Sequence, residues 1–195
     1  KVSIYDDNKI SRKSFISLKK IKLSEFDHIV LSPGIDINKC KLSKFLKKNN
    51  NKIYSDLDVF YALYKNDCIT ITGTNGKSTT CQLMYEDILN QKFEVKLDGN
   101  IGNPILSEKK IKKNTIFVVE ASSYQLEYSK IFKSKYAAIL NLSPDHIERH
   151  KTLKKYIKAF IYGKSKKFFN KKLKGKIDYK NFKNLEDALK KIFNI

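Results

Sequence analysis

Cys68-Ile69-Thr70-Ile71-Thr72 runs directly into Gly73-Thr74-Asn75-Gly76-Lys77-Ser78-Thr79-Thr80, and the reading of this stretch decides the fold. The first five residues are β-branched or small and apolar, as in a buried strand. After the glycines, Cys81, Met84, Ile88 and Leu89 recur at helical spacing. Strand, glycine loop, Lys-Ser and helix is the anatomy of a phosphate-binding loop. Backbone N–H groups wrap the phosphates, the helix N-terminus adds its positive end, the lysine reaches the terminal phosphates, and the serine hydroxyl ligates Mg²⁺. Ile71 stands where the common G-x-x-x-x-G-K-[ST] pattern has its first glycine, so this is the shorter T-G-T-N-G-K-S-T form. Gly73, Thr74, Asn75, Gly76, Lys77, Ser78 and Thr79 are the expected nucleotide-binding residues.

Three downstream stretches place polar groups just past apolar runs. They are Asp98-Gly99-Asn100-Ile101-Gly102-Asn103-Pro104, Glu120-Ala121-Ser122-Ser123-Tyr124-Gln125-Leu126-Glu127 after strand 116–119, and Ile139-Leu140-Asn141-Leu142-Ser143-Pro144-Asp145-His146-Ile147-Glu148-Arg149-His150, which begins inside strand 136–142. In a parallel sheet all of these converge on one edge, the edge at which open α/β sheets bind ligands. Glu120 is positioned like the strand-end carboxylate that holds Mg²⁺ in phosphoryl-transfer sites. His146 reads as a second metal ligand or a substrate contact.

Upstream, Val2 to Tyr5 reads as a short strand ending in Asp6-Asp7, and Ile29-Val30-Leu31 as another stopped by Ser32-Pro33-Gly34. Asp56 is expected to cap a helix whose Val59, Phe60, Leu63 and Tyr64 form an apolar face. The expected class is therefore α/β, with mostly parallel sheets built from alternating short apolar runs and helical stripes.

Composition narrows the function classes. The chain has 195 residues, of which 41% are apolar and 12% aromatic, enough for a core in one or two units. A net charge of +20 invites a nucleic-acid reading. Only Arg12 and Arg149 among the 40 basic residues are arginine, and base- and phosphate-reading surfaces favour the forked guanidinium. A lysine excess of this kind reads as compositional drift, so no nucleic-acid partner is expected. The excess is uneven: residues 151–195 hold 15 lysines against 3 acids, which marks a change of segment near residue 158. No apolar run approaches a membrane span and the first residues lack a signal-peptide core, so no membrane partner is expected. Cys40, Cys68 and Cys81 are odd in number without a C-x-x-C pair, which fits a reducing, cytoplasmic setting.

These motifs together resemble the Mur ligase family of peptidoglycan synthesis. T-G-T-N-G-K-S-T and Asp145-His146 are shared across that family. Leu31-Ser32-Pro33-Gly34-Ile35, Gly99-Asn100-Ile101-Gly102 and Glu120 to Glu127 resemble the versions of its D-glutamate-adding branch. The resemblance implies an ATP-dependent ligase that joins D-glutamate to UDP-N-acetylmuramoyl-L-alanine through an acyl phosphate. By that resemblance Lys77 stabilises the transferred phosphate, Ser78 and Glu120 hold one Mg²⁺, and His146 supports a second. Asn100, Ser122 and Gln125 would orient the sugar-peptide, while Asp6, Asp7, Ser32, Pro33 and Gly34 lie where the family grips uridine diphosphate.

The resemblance also implies three segments: a Rossmann-like substrate unit over 1–65 opening at the family's second strand, a partial central ATP unit over 66–158, and a remnant of the C-terminal ligase domain over 159–195. Phe160 stands where the family's helix carries a carbamylated lysine bridging two Mg²⁺ ions. Such a chain is expected to be inactive in ligation, to retain weak nucleotide binding, and to expose apolar sheet edges that favour self-association. A degenerate nucleotide- or UDP-sugar-binding module and a basic nucleic-acid-binding protein are the other classes weighed.

Overall fold

The computed structural model describes residues 2–8 and 14–141. In chain order its elements are α1 (Leu18–Leu23), β1 (Ile29–Val30), α2 (Ser43–Lys48), β2 (Ile53–Tyr54), α3 (Asp56–Leu63), β3 (Cys68–Thr72), α4 (Lys77–Asn90), β4 (Val95–Gly99), β5 (Ile116–Glu120), α5 (Ser123–Tyr128) and β6 (Tyr136–Ile139). Strands β1 and β2 form a small parallel pair, and the other four form a parallel sheet in the order β4-β5-β3-β6. The protein is thus α/β with parallel sheets, the class expected from its sequence.

Strand β3 is buried along its whole length because it pairs on both sides and is covered on both faces. The two-residue period of the strands sorts side chains between those faces. Ile69, Ile71 and Val118 pack against Cys81, Met84 and Ile88 of α4. Cys68, Phe117 and Val119 turn the other way, against Leu57 and Phe60 of α3 and Ile105. A third cluster joins Leu31, Ile37, Leu46 and Ile53 of the N-terminal part to Tyr128 of α5.

Asp58 ties these parts together. Its carboxylate is 1% exposed and accepts from the backbone N–H groups of Lys130, Ile131 and Phe132 at 2.8–3.0 Å, as well as from the Ser129 hydroxyl at 3.2 Å. A buried charge ringed by donors in this way replaces its lost hydration.

Several local expectations need correction. Ser55, not Asp56, is the N-cap of α3: its hydroxyl accepts from Asp58 N–H while the Asp58 carboxylate accepts from Ser55 N–H, a reciprocal capping box. The buried stripe of α3 is Leu57 and Phe60, whereas Leu63 is 67% exposed near the helix end. Leu89 is likewise exposed near the end of α4. Residues 2–5 contribute a single bridge, Ile4 to Phe15, rather than a continuous strand. His146, Phe160 and the segment 159–195 lie outside the described residues.

Candidate phosphate and metal site

Because all four strands of the main sheet run the same way, the loops after them gather at one edge. The loop Gly73–Gly76 leaves the C-terminal end of β3 and enters α4 with Gly76 as N-cap. Gly76 has φ +80° and Gly73 φ +138°, regions that cost a side chain dearly. The Lys77 ammonium bends back over the loop and donates to the carbonyls of Gly73 at 2.8 Å and Thr74 at 2.7 Å. A cation is thereby held against the loop backbone at the positive end of a 14-residue helix.

Strand period then decides where Glu120 points. It ends β5 in register with Ile71 and shares the face of Val118, the face covered by α4. Ser78, in the first turn of α4, donates through its hydroxyl to Glu120 Oε2 at 2.8 Å. Asn100 Nδ2 donates to Glu120 Oε1 at 2.9 Å, and the Asn100 backbone N–H donates to the Glu120 carbonyl at 2.9 Å. Gly99 allows that approach: a Cβ there would lie 2.3 Å from the Glu120 carbonyl oxygen. Glu120 itself is 2% exposed.

A serine hydroxyl and one carboxylate side by side make a hard oxygen pair suited to Mg²⁺, which keeps most of its waters and takes one or two protein ligands. Among the described residues no group of three or more His, Cys, Asp and Glu residues collects. Ser78 and Glu120 therefore fit a Mg²⁺ ion escorted by phosphate oxygens. Cys81, one turn along α4, is no part of this chemistry: burial first, then the charge of Glu120, pushes its thiol up to about 12.

The edge thus brings Lys77, Ser78, Asn100 and Glu120 together. Ser122 and Gln125 form a capping box on α5 instead, with the Ser122 hydroxyl accepting from Gln125 N–H at 3.2 Å. Gln125 is buried and its side-chain amide donates to Asp56 at 2.9 Å, toward α3. Asp6 and Asp7 are exposed; Asp6 accepts from Asn8 N–H, and Asp7 from the Tyr5 hydroxyl with Lys41 at 3.7 Å. Ser32, Pro33 and Gly34 form a turn after β1, closed by Ile35 N–H on the Ser32 carbonyl at 3.0 Å.

Sequence reading quoted two further residues of this edge within its polar stretches and gave neither a role. Asn141, just past β6, contacts the phosphate loop through both backbone and side chain. Asp98, at the end of β4, is 0% exposed, and neither carboxylate oxygen has a donor. Burial first, then the charge of Glu108, pushes Asp98 up to about 7. Glu108 shifts the other way, its burial outweighed by the hydrogen bonds from Lys96 and Asn103, which hold its carboxyl below the usual range.

The sequence of the site has clear relatives. A model of the Mur ligase middle domain matches residues 71–192, and so runs beyond Lys158. The UDP-N-acetylmuramoylalanine--D-glutamate ligase of Rickettsia bellii is 38% identical over 165 residues, covering 80% of this chain and 36% of the relative. The ligase of the same name from Caldicellulosiruptor bescii is 40% identical over 133 residues, covering 67% of this chain and 29% of the relative. That of Clostridioides difficile is 36% identical over 169 residues, covering 80% and 37%. The chain spans about a third of the length of the curated relatives it matches. With the Gly73–Gly76 loop and the strand-end Glu120 inside the matched span, the chain belongs to the Mur ligase family.

Proposed function

We infer that this chain carries the triphosphate- and metal-binding part of an ATP-dependent ligase of peptidoglycan synthesis, one that adds D-glutamate to UDP-N-acetylmuramoyl-L-alanine. The observation that carries the reading is the Ser78–Glu120 contact at 2.8 Å beneath a loop capped by Lys77. Lys77 would neutralise the phosphate as it passes to the substrate carboxylate, and the N–H groups of the first turn of α4, just past the loop, would hold the triphosphate. Ser78 and Glu120 would hold one Mg²⁺, with His146 as support for a second. When bound, the metal would screen the charge of the phosphates that approach an anionic carboxylate.

The three-segment division belongs to the same proposal: residues 1–65 for the UDP end, 66–158 for the central ATP unit, and 159–195 as a C-terminal remnant. Asp6, Asp7 and Ser32 to Gly34 would meet the uridine diphosphate. Asn100 would orient the sugar-peptide from its place beside Glu120, with Ser122 and Gln125 acting from the start of α5. Among the described residues no helix is long and apolar enough to cross a membrane. A cytoplasmic setting is part of the proposal and rests on the UDP-linked substrates it names. Self-association would use the β6 edge, where Tyr136, Ile139 and Leu140 are each about a third exposed.

A polypeptide of these 195 residues is expected to bind nucleotide more readily than it turns over, because Phe160 occupies the place of the metal-bridging lysine. The test is phosphate release and product formation from UDP-N-acetylmuramoyl-L-alanine, D-glutamate and Mg-ATP, with bicarbonate present, alongside nucleotide binding. Binding with little turnover fits the proposal. Turnover matching a full-length ligase would overturn the assignment of Phe160, and salt-sensitive DNA binding without nucleotide binding would overturn the whole reading.

A further inference from the structure

The end of β6 grips the phosphate loop at three points. The Asn141 carbonyl accepts from Thr74 N–H at 3.1 Å. The Asn141 side-chain oxygen accepts from Asn75 N–H at 2.9 Å, and its side-chain NH₂ donates to the Asn75 carbonyl at 2.9 Å. One side-chain amide therefore satisfies both backbone groups of a single loop residue. The pairing fixes the orientation of the amide, since rotation by 180° would set donor against donor and acceptor against acceptor. The strand end also presses close: a Cβ at Gly73 would lie 3.0 Å from the Asn141 carbonyl oxygen and 3.1 Å from its nitrogen.

We propose that Asn141 is a positioning residue for the phosphate-binding loop, clamping Thr74 and Asn75 so that the N-terminus of α4 faces the anion in a preset shape. The proposal rests on the reading of this loop as the triphosphate site. A loop with glycines at both ends has many conformations in reach, and an anion that must order it loses affinity to that ordering. Here the strand supplies the order in advance. With the N–H groups of Thr74 and Asn75 engaged by Asn141, contact with phosphate falls to the N–H groups of the first turn of α4, which have no carbonyl partners within the helix. Asn141 touches no phosphate in this scheme and acts through the loop.

The test uses the whole chain with Asn141→Ala, Asn141→Asp and Lys77→Ala, magnesium–ATPγS as the probe, and amide hydrogen exchange by NMR. In the parent, the Asn75 N–H is protected from exchange. In Asn141→Ala that protection is lost, affinity for magnesium–ATPγS falls about tenfold, the equivalent of one to two hydrogen bonds, and the capping-box amides of Asp58 and Gln125 keep their protection. Asn141→Asp retains an acceptor and so keeps Asn75 protected, which decides the matter even if the alanine variant fails to fold. Equal exchange of Asn75 in parent and Asn141→Ala overturns the clamp. So does unchanged affinity in Asn141→Ala when Lys77→Ala abolishes binding. If Lys77→Ala binds as the parent does, the triphosphate reading fails instead, and the exchange of Asn75 still reports separately on the clamp.

Discussion

The Ser78 hydroxyl donates to the Glu120 carboxylate across 2.8 Å, although 42 residues separate them in the chain. Two independent periodicities meet in that contact. The two-residue period of β5 turns Glu120 to the face of Val118, and the first turn of α4 sets Ser78 over the same face. Neither residue is placed by the other. The parallel β3–β5 pairing places both, with Ile71 opposite Glu120.

Glu120→Gln keeps the size of the side chain and removes the charge that a divalent cation needs. We expect magnesium–nucleotide affinity to fall at least about tenfold, with metal-free nucleotide binding little changed. Titrations with and without Mg²⁺ separate the two. Equal loss in both would mean that Glu120 serves only to hold Ser78 and Asn100.

Gly99→Ala tests the close approach of β4 to β5. The new Cβ would lie 2.3 Å from the Glu120 carbonyl oxygen, at a residue whose φ is +109°. The expected cost is at least about 2 kcal/mol, or about 4–8 °C in Tm, with Asn100 drawn away from Glu120. Thermal unfolding followed by circular dichroism checks it.

Asp58→Ala would strip the acceptor from the N–H groups of Lys130, Ile131 and Phe132 in one step. A loss of about 3–5 kcal/mol is expected, and Asp58→Asn, which keeps one acceptor oxygen, should lose less. Urea unfolding of the pair measures both. A near-silent alanine variant would show that water replaces the carboxylate.

Asp98 gives the protein a pH dependence opposite in sign to that of a salt-bridged acid. Its pKa rises from the ordinary 3.8 to about 7, so the folded state holds a proton that the unfolded chain releases. The stability it contributes is complete below about pH 4 and is lost as the pH rises through about 7. The groups around it are Glu108 and Lys96, with Cys68 on β3. Asp98→Asn should flatten this slope and stabilise the protein by about 2 kcal/mol at pH 8. Denaturant midpoints at pH 5 and pH 8 for both proteins decide it.

The parts of the fold legible in the sequence are those with a local cause. The β-branched run 68–72, the glycine loop and the stripe Cys81, Met84, Ile88 each carry their own period, and Glu120 follows from being last in its strand. Ser55 and Asp56 are both good capping residues, and what decides between them is Asp58 reaching back to Ser55, a reciprocal contact that single-residue preference overlooks. The roles of Asp58, Asp98 and Asn141 were illegible for another reason. Each takes its role from residues 10 to 74 positions away: Glu108 for Asp98, Asn75 for Asn141, Phe132 for Asp58. Hydrophobic period says which face is buried, and it is silent on which polar groups must meet there.

The central claim is that the loop under Lys77 binds a triphosphate. Calorimetric titration of the parent chain and of Lys77→Ala with magnesium–ATPγS tests it most directly. The account predicts saturable one-to-one binding in the parent and none measurable in Lys77→Ala, with both proteins showing the same circular dichroism spectrum, because the variant removes the cation aimed at the terminal phosphates. Equal binding by the two proteins would contradict it and put the nucleotide elsewhere.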